Sequence, residues 1–467
     1  MSLHSIVLIT TCIISILSGC ASHPKTWDAR WLKTPSQYMP PDELLKEDDV
    51  SPGKGNNSEK YPIDLTTVLK LAGAQPLELA LVREKVHDAY AEVLLSKEKF
   101  IPNIMPGIKF FRHEGEIQDT GGTFLETDKQ FVSPRMNLNL EISPGEAVFS
   151  ALAAQQRYRA STASLETVTQ NMKLKSALAY FDLLQSQAEV AIAEEALKIS
   201  ETLVRETEAA LKYGKGFKGD VLRAKAQLSS ERLSLTKAKE ALRISSVKLA
   251  TILRLDQKIE LYAIDRVITP IYLLSKEITI EEFMQTAIHR RPELREALSI
   301  LEANKTEKTA SFWGPIIPSL QADLGAGGLG QNIDHLKSTE EYNVSLGWTI
   351  GSGGLFYKGR REKADARYRS SEIQLAKIQQ DIIQEIIVAH TQVNAKQEQI
   401  TIAKQGIMDA EESLKLNQSR LKHGMGLPLE VLQAETAFIQ ARKDYISSIT
   451  DYNKAQYTLF VSAGNKP

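Results

Sequence analysis

Apolar and polar side chains alternate along residues 342–350, which read YNVSLGWTI. Tyr342, Val344, Leu346, Trp348 and Ile350 are apolar, whereas each residue between them is small or polar. An alternation with a period of two predicts a β-strand that has one apolar face and one polar face. The same alternation recurs in three earlier segments, around residues 104–113, 132–142 and 318–327.

Each alternating segment is about ten residues long, which is the length that crosses a bilayer when a strand is tilted. The opposite, polar faces carry residues that require water, such as Arg135, Glu141 and Asp323. A soluble hairpin with one face on a helical core is the alternative interpretation. On the membrane interpretation, the residues that contact lipid are Met136, Leu138, Leu140, Leu320, Leu324, Val344, Leu346 and Trp348.

Four strands cannot close into a cylinder, and an open sheet edge in hydrocarbon leaves backbone groups unpaired at a cost of several kcal/mol each. Further copies of the chain must therefore complete such a sheet. Two copies would give eight strands with a filled interior, whereas three copies would give twelve strands around a water-filled lumen. The polar faces of the strands favour the larger assembly.

Long segments with a helical period separate the strands. Residues 146–213 and 220–255 contain no Gly or Pro, and a further helical segment runs over 355–423. Their apolar residues lie three and four positions apart, as at Leu174, Leu178 and Phe181, which is typical of a coiled-coil seam. At 1.5 Å per residue the first segment forms a helix on the order of 100 Å long, too long for the interior of a compact globule.

The chain is internally duplicated. LKYGKGFKGDVLRA at 211–224 matches LKHGMGLPLEVLQA at 421–434, and each lies between two helical segments that it joins into a hairpin. The offset of roughly 210 residues indicates a duplicated domain rather than a repeat array. We assign residues 63–270 to the first repeat, 271–467 to the second, and the Pro-, Gly- and Asp-rich residues 20–62 to an extended tail.

The N-terminus has the pattern of an export signal. A short apolar run, IVLITTCIISIL, precedes the quartet LSGC, which resembles a bacterial lipobox. The resemblance implies that residues 1–19 are removed, that Cys20 is acylated, and that the protein is anchored in the outer membrane. No Lys or Arg precedes the apolar run, so an unlipidated signal peptide is the alternative.

Composition excludes several classes of function. The net charge is −1 and the basic residues are scattered among acids, so nucleic acid is not an expected partner. The eight histidines are dispersed and no catalytic motif is present, so we expect neither an enzyme nor a bound cofactor or metal. GAGGLG at 325–330 fits a dinucleotide fingerprint, but a strand follows it instead of a helix, which predicts an exposed loop between two strands.

The order of helix, strand pair and long helical hairpin, present twice after a lipobox, resembles the TolC-like outer membrane efflux protein family over about 63–464. The resemblance implies a mainly α fold with a small transmembrane β part, in which a homotrimer forms a twelve-stranded β-barrel above a periplasmic α-barrel. It further implies an exit duct of a tripartite efflux or type I secretion system. Its partners would be a periplasmic adaptor protein, an inner-membrane RND or ABC-type pump, and outer-membrane lipid.

The resemblance also implies roles for the hairpin turns. Asp220 and Glu430 open the returning helices and are candidates for the periplasmic aperture, although an acid at this position also stabilises the helix dipole. The turn residues expected to dock the adaptor are Lys212, Tyr213, Gly214, Gly216, Lys422, His423, Gly424 and Gly426. We predict backbone conformations closed to other residues at the four glycines.

One alternative function belongs to another class. A lipid-anchored periplasmic coiled-coil adaptor or scaffold without a pore would also need long helices and an anchor. It would not need period-two segments of bilayer length, so the strands distinguish the two hypotheses.

Overall fold

The computed structural model describes residues 60–265, 268–274, 278–351 and 354–467. The predicted signal peptide 1–19, Cys20 and the tail up to residue 59 lie outside the described residues. The described ranges all belong to one compact unit, Asn57–Pro467.

The described part of the first repeat, with the residues just before it, contributes four strands and four α-helices. Asp64 caps the first helix, because its carboxylate accepts a hydrogen bond of 3.2 Å from the Thr67 backbone N–H. The elements in chain order are β1 Lys60–Ile63, α1 Leu65–Ala72, α2 Leu77–Glu98, β2 Asn103–Gln118, β3 Phe124–Ile142, α3 Pro144–Lys212, α4 Lys218–Ile252 and β4 Glu260–Ala263.

The second repeat contains two strands and four α-helices within the described ranges. A capping box at Thr279 and Glu282 starts its first helix, and Pro292 starts the next. The elements are α5 Ile280–Arg290, α6 Pro292–Trp313, β5 Ser319–Leu329, β6 Lys337–Gly347, α7 Lys358–Lys422 and α8 Pro428–Ser462.

A four-stranded sheet and a two-stranded sheet are both present among the described residues. The larger sheet is antiparallel, with the strand order β2-β3-β5-β6, so the strand pairs from the two repeats lie side by side. The smaller sheet pairs β1 with β4 in parallel. In the part of the chain that the structure describes, β2 and β6 are the outer strands of the larger sheet.

The helices form two hairpins that pack side by side. α3 pairs with α4, α7 pairs with α8, and α3 contacts α8, so the order near the turns is α4-α3-α8-α7. Nearer the sheet, α2 and α6 pack on α3, and α6 also packs on α7. The outer helices of the described bundle are therefore α4 and α7 near the turns, and α2 and α7 nearer the sheet.

Two apolar cores lie midway along the hairpins. The first joins β1, α1 and β4 to α3 and α4 around Tyr180, Phe181 and Leu249. The second joins α5 to α7 and α8 around Phe283, Ile386 and Tyr452. The segment Leu65–Glu98 is long and apolar enough to compare with a membrane span, but Pro76 separates α1 from α2 within it.

Several sequence expectations differ from the structure. β2 has 16 residues and β3 has 19, longer than the ten expected, because the alternation continues past Phe110 with its apolar and polar sides exchanged. β6 begins at Lys337 and ends at Gly347, before Trp348 and Ile350. The glycine-rich residues 325–329 belong to β5 and not to a loop. Residues 60–62, assigned to the tail, lie in β1.

Candidate functional site

One face of the larger sheet is apolar over most of its height. The register places Ile104, Leu138, Leu324 and Tyr342 in one row across the four strands. The next rows hold Leu140 with Ala322 and Val344, and then Ile142 with Leu320 and Leu346. Met136 lies one row towards the strand tips, beside Ala326. Seven of the eight residues predicted to contact lipid therefore share one face.

Trp348, the eighth, lies one residue beyond the end of β6. Its indole Nε1 donates a hydrogen bond of 3.0 Å to the Ile316 carbonyl, so it ties the end of the strand to the segment that precedes β5.

Glu340 is an acid on the apolar face. It accepts a hydrogen bond of 2.8 Å from the Tyr342 hydroxyl.

The opposite face is polar, and its side chains bond across the strands. Asn139 donates to Asp323, and Gln321 Nε2 donates to Glu141 Oε1 at 3.3 Å. Arg135 Nη2 on β3 donates to Glu341 Oε2 on β6 at 2.5 Å. Because these groups are hydrogen-bonded and exposed, this face is compatible with a water-filled space.

Arg135 reaches β6 by crossing the intervening strand β5, which explains the glycines there. A Cβ added at Gly327 would lie 2.2 Å from the Pro134 carbonyl oxygen, and one added at Gly325 would lie 3.0 Å from Arg135 Nη2. The glycines of GAGGLG, the segment that resembles a dinucleotide fingerprint, thus allow atoms of β3 to lie close to the backbone of β5.

The two hairpin turns have the same backbone geometry. Gly214 has a φ of 70° and Gly424 a φ of 72°, in the left-handed region that favours glycine. Gly216 and Gly426 do not have positive φ. A glycine is required at these two positions because of close packing. An added Cβ would lie 3.1 Å from the Leu211 nitrogen in the first turn and 3.0 Å from the Leu421 nitrogen in the second.

The two aperture candidates, Asp220 and Glu430, each form polar contacts within their own hairpin. Asp220 Oδ1 pairs with Arg223 Nη1 at 2.9 Å. Glu430 Oε2 accepts a hydrogen bond from the Leu427 N–H at 3.3 Å and lies 3.5 Å from Arg420 Nη1. The geometry is that of helix capping with a local ion pair.

The turns expose large apolar side chains, of which the sequence analysis selected Tyr213 but not Phe217, Met425 or Leu427. Tyr213 is 76% exposed, Phe217 is 79% exposed, and Met425 and Leu427 are also exposed. Lys212, Lys422 and His423 lie beside them, and the His423 ring is 2.8 Å from the Ser419 carbonyl oxygen. Apolar residues within a glycine-bearing turn were the available signal.

A buried carboxyl lies further along the hairpins. Glu435 on α8 is 0% exposed, and neither of its oxygens has a hydrogen-bond partner in the described residues. It lies between two apolar contacts of α3 with α8, one around Leu203 and Ala434 and one around Ala196 and Ile439. Ser200 on α3 is buried as well.

Burial, together with the charge of Glu231 on α4, raises the pKa of Glu435 to about 7. Glu231 is itself nearly buried and accepts a hydrogen bond of 2.6 Å from Gln227. Glu435 lies four residues after Val431 and four before Ile439, which is a position on the apolar seam of the helix. This spacing was the signal in the sequence that the side chain faces inward.

Long helical hairpins beneath a short amphipathic sheet define the architecture of a channel subunit. The family model for outer membrane efflux proteins matches residues 72–253 and 283–465. The chain therefore belongs to the outer membrane efflux protein family, a family of efflux channels rather than enzymes. Comparison with curated protein sequences gave no match.

Solved structures show the same fold at low sequence identity. A membrane protein from Pseudomonas aeruginosa is 17% identical with a TM-score of 0.76, over 86% of this chain and 93% of that one. CusC is 18% identical with a TM-score of 0.76, over 88% of this chain and 95% of that one. The outer membrane protein VceC from Vibrio cholerae is 18% identical with a TM-score of 0.74, over 86% and 96%.

Proposed function

We propose that the protein is the outer-membrane exit duct of an efflux or secretion system and acts as a homotrimer. The observation that carries the proposal is the open four-stranded sheet, which has one apolar and exposed face and one polar face. The apolar stretch of β3, residues 132–142, spans about 25 Å when tilted, which matches the apolar band of outer-membrane barrels.

Completion of the sheet requires other copies. Within the described residues, β2 and β6 each have one edge without a partner strand. Hydrocarbon cannot satisfy such edges, so β6 of one copy pairs with β2 of the next. Three copies supply twelve strands, and the polar face with Arg135, Asp323 and Glu341 then lines the lumen.

Near the turns, each outer helix carries a line of exposed apolar side chains. On α7, at the height of α4, Ile387, Ile402 and Leu416 are exposed and recur at intervals of about four turns, on one side of the helix. On α4, Leu222, Leu233 and Ile244 are exposed at intervals of about three turns. These stripes support contact between α7 of one copy and α4 of the next, which closes a helical tunnel below the barrel.

The turns are the part of the tunnel that meets the periplasmic partners. Exposed Tyr213, Phe217, Met425 and Leu427 beside Lys212 and Lys422 form an apolar surface with basic edges. Such a surface suits docking to a periplasmic adaptor that links the duct to an inner-membrane RND or ABC-type pump. Asp220 and Glu430 contribute to the aperture mainly by fixing the start of the returning helices.

The anchor completes the proposal. Acylation of Cys20 would hold the start of the tail in the outer membrane while the helices extend into the periplasm. The duct itself performs no chemistry, and the pump supplies the energy.

The experiment is purification in detergent followed by measurement of mass and of conductance in a planar bilayer. A trimeric mass with stable channels supports the proposal. A monomer without channels contradicts it, and a membrane-anchored protein that never forms pores would instead indicate a scaffold.

A further inference from the structure

The β2–β3 hairpin extends beyond the apolar band, and its two faces there carry opposite charge. The apolar stretch of β2 ends at Phe110, and that of β3 begins at Val132. Past these positions, the face that continues the apolar side holds Arg112 and four acids, Glu114, Glu116, Glu126 and Asp128. Arg112 lies 3.6 Å from Asp128, so the single base on this face is neutralised.

On the face that continues the polar side, the three rows at the edge of the apolar band are basic and aromatic. Lys109 pairs with Ser133, Phe111 with Phe131, and His113 with Lys129. Lys337 at the start of β6 pairs with Leu329 and lies on this same face. Among the described residues, Lys109, Lys129 and Lys337 form no ion pair, in contrast to the Arg135–Glu341 pair one row nearer the periplasm.

The acids on the polar face of the sheet lie outside these basic and aromatic rows. Glu141, Asp323 and Glu341 are all in rows nearer the periplasmic end, and each accepts a hydrogen bond from a side chain on another strand. Asp119 in the hairpin turn accepts from the backbone of Gly121 and Thr123, and Asp334 lies in the loop before β6. Along the polar face of the strands, the three lysines therefore lie towards the outer end and the three acids towards the periplasmic end.

The aromatic pair lies within the basic region. The Phe111 and Phe131 rings stack with centroids 5.2 Å apart, and Lys109 Nζ is 5.8 Å from the Phe131 centroid. Stacked rings in a wet wall offer a flat apolar contact, and the adjacent ammonium groups offer attraction for negative charge.

We propose that Lys109, Lys129 and Lys337 with Phe111 and Phe131 form an exit collar that selects small aromatic anions. The inference rests on the trimer of the proposed function, in which three copies bring these residues together around the outer end of the lumen. Rings of Lys around a lumen raise the local concentration of anions. The aromatic pair adds contact for a flat cargo.

The charge of the collar is tested by reversal potentials of purified trimers in a planar bilayer across a KCl gradient. The unsubstituted channel should prefer chloride over potassium. The triple variant K109Q/K129Q/K337Q should lose that preference several-fold. R112Q is the matched control, because it removes one positive charge at the same height from the outer face, and it should leave the ratio unchanged.

The aromatic part is tested by channel block with naphthalenesulfonate and with methanesulfonate, two anions that differ by the ring system. F111A and F131A should shorten naphthalenesulfonate block several-fold and leave the response to methanesulfonate unchanged, whereas F110A, on the opposite face, should change neither. Channels that keep their anion preference in the triple variant, or lose it equally in R112Q, overturn the collar. Absence of channels from the unsubstituted protein contradicts the duct itself.

Discussion

The Glu435 carboxyl makes the stability of the helical hairpins depend on pH. Its pKa is about 7 in the folded chain against an ordinary value of 4.5, so between these pH values the folded state binds more protons than the unfolded state. The stabilisation is present below pH 4.5 and is lost as the pH rises to 7. We expect the free energy of unfolding to fall by up to about 3 kcal/mol over this window.

Thermal unfolding in detergent at a series of pH values measures the effect. E435Q should flatten the pH dependence, because the amide cannot ionise. D444N, which changes an exposed acid on the same helix, should keep the slope of the unsubstituted protein. An unchanged slope in E435Q would contradict the assignment.

The turn glycines differ in the reason that each is required. G424A forces an alanine into positive φ and should lower stability by about 1 kcal/mol. G216A should destabilise through its 3.1 Å contact with the Leu211 nitrogen. G219A is the control, since nothing lies within 4 Å of its added Cβ, and it should have no destabilising effect in the same unfolding measurement.

At the scale of single residues, the sequence predicts what residue type alone dictates. Glycines in a repeated turn indicate special backbone, and the structure confirms positive φ at Gly214 and Gly424. The close approach at Gly216 depends on how the turn folds back onto the preceding helix. The seam spacing of Glu435 between Val431 and Ile439 indicates an inward position, but the depth of its burial depends on three helices meeting, which no local pattern reports.

At the scale of elements, the sheet separates membrane-facing from lumen-facing positions one residue apart. L138R and L346R place a charge on the apolar face. The cost should be about 2–4 kcal/mol for L138R, near the middle of the apolar band, which should prevent assembly, and smaller for L346R, in the row nearest the periplasm. N137R and S345R place the same charge on the polar face and should assemble. The measurement is the fraction of protein recovered as trimer in outer membranes. Equal recovery of all four variants would contradict the membrane role of the sheet.

The elements themselves were largely predictable because period two and period 3.6 are strong signals over long segments. The helical segments and the core of each of the four long strands follow them. The short strands β1 and β4 were missed, because four residues give too few periods to detect and their pairing is set by the fold. The length of the β2–β3 hairpin was underestimated, because its apolar and polar sides exchange at the edge of the apolar band.

At the scale of the whole molecule, assembly depends on the stripes of the outer helices. I402E places a charge within the α7 stripe and should weaken the trimer by about 1–2 kcal/mol for lost apolar contact, with a further electrostatic penalty. K404E changes an exposed residue two positions away and should leave the trimer intact. Mass in detergent, measured over a range of protein concentrations, distinguishes the two. If both variants dissociate alike, the contact between copies does not involve Ile402.

The duplication has a further consequence for the periplasmic end. A trimer would present six tips around its rim, alternating between one with Tyr213 and Phe217 and one with His423 and Met425. Their backbones are alike, but their chemistry is not. A ring built from a single kind of adaptor chain would therefore meet two non-equivalent positions in turn, and each of its subunits must tolerate either neighbour.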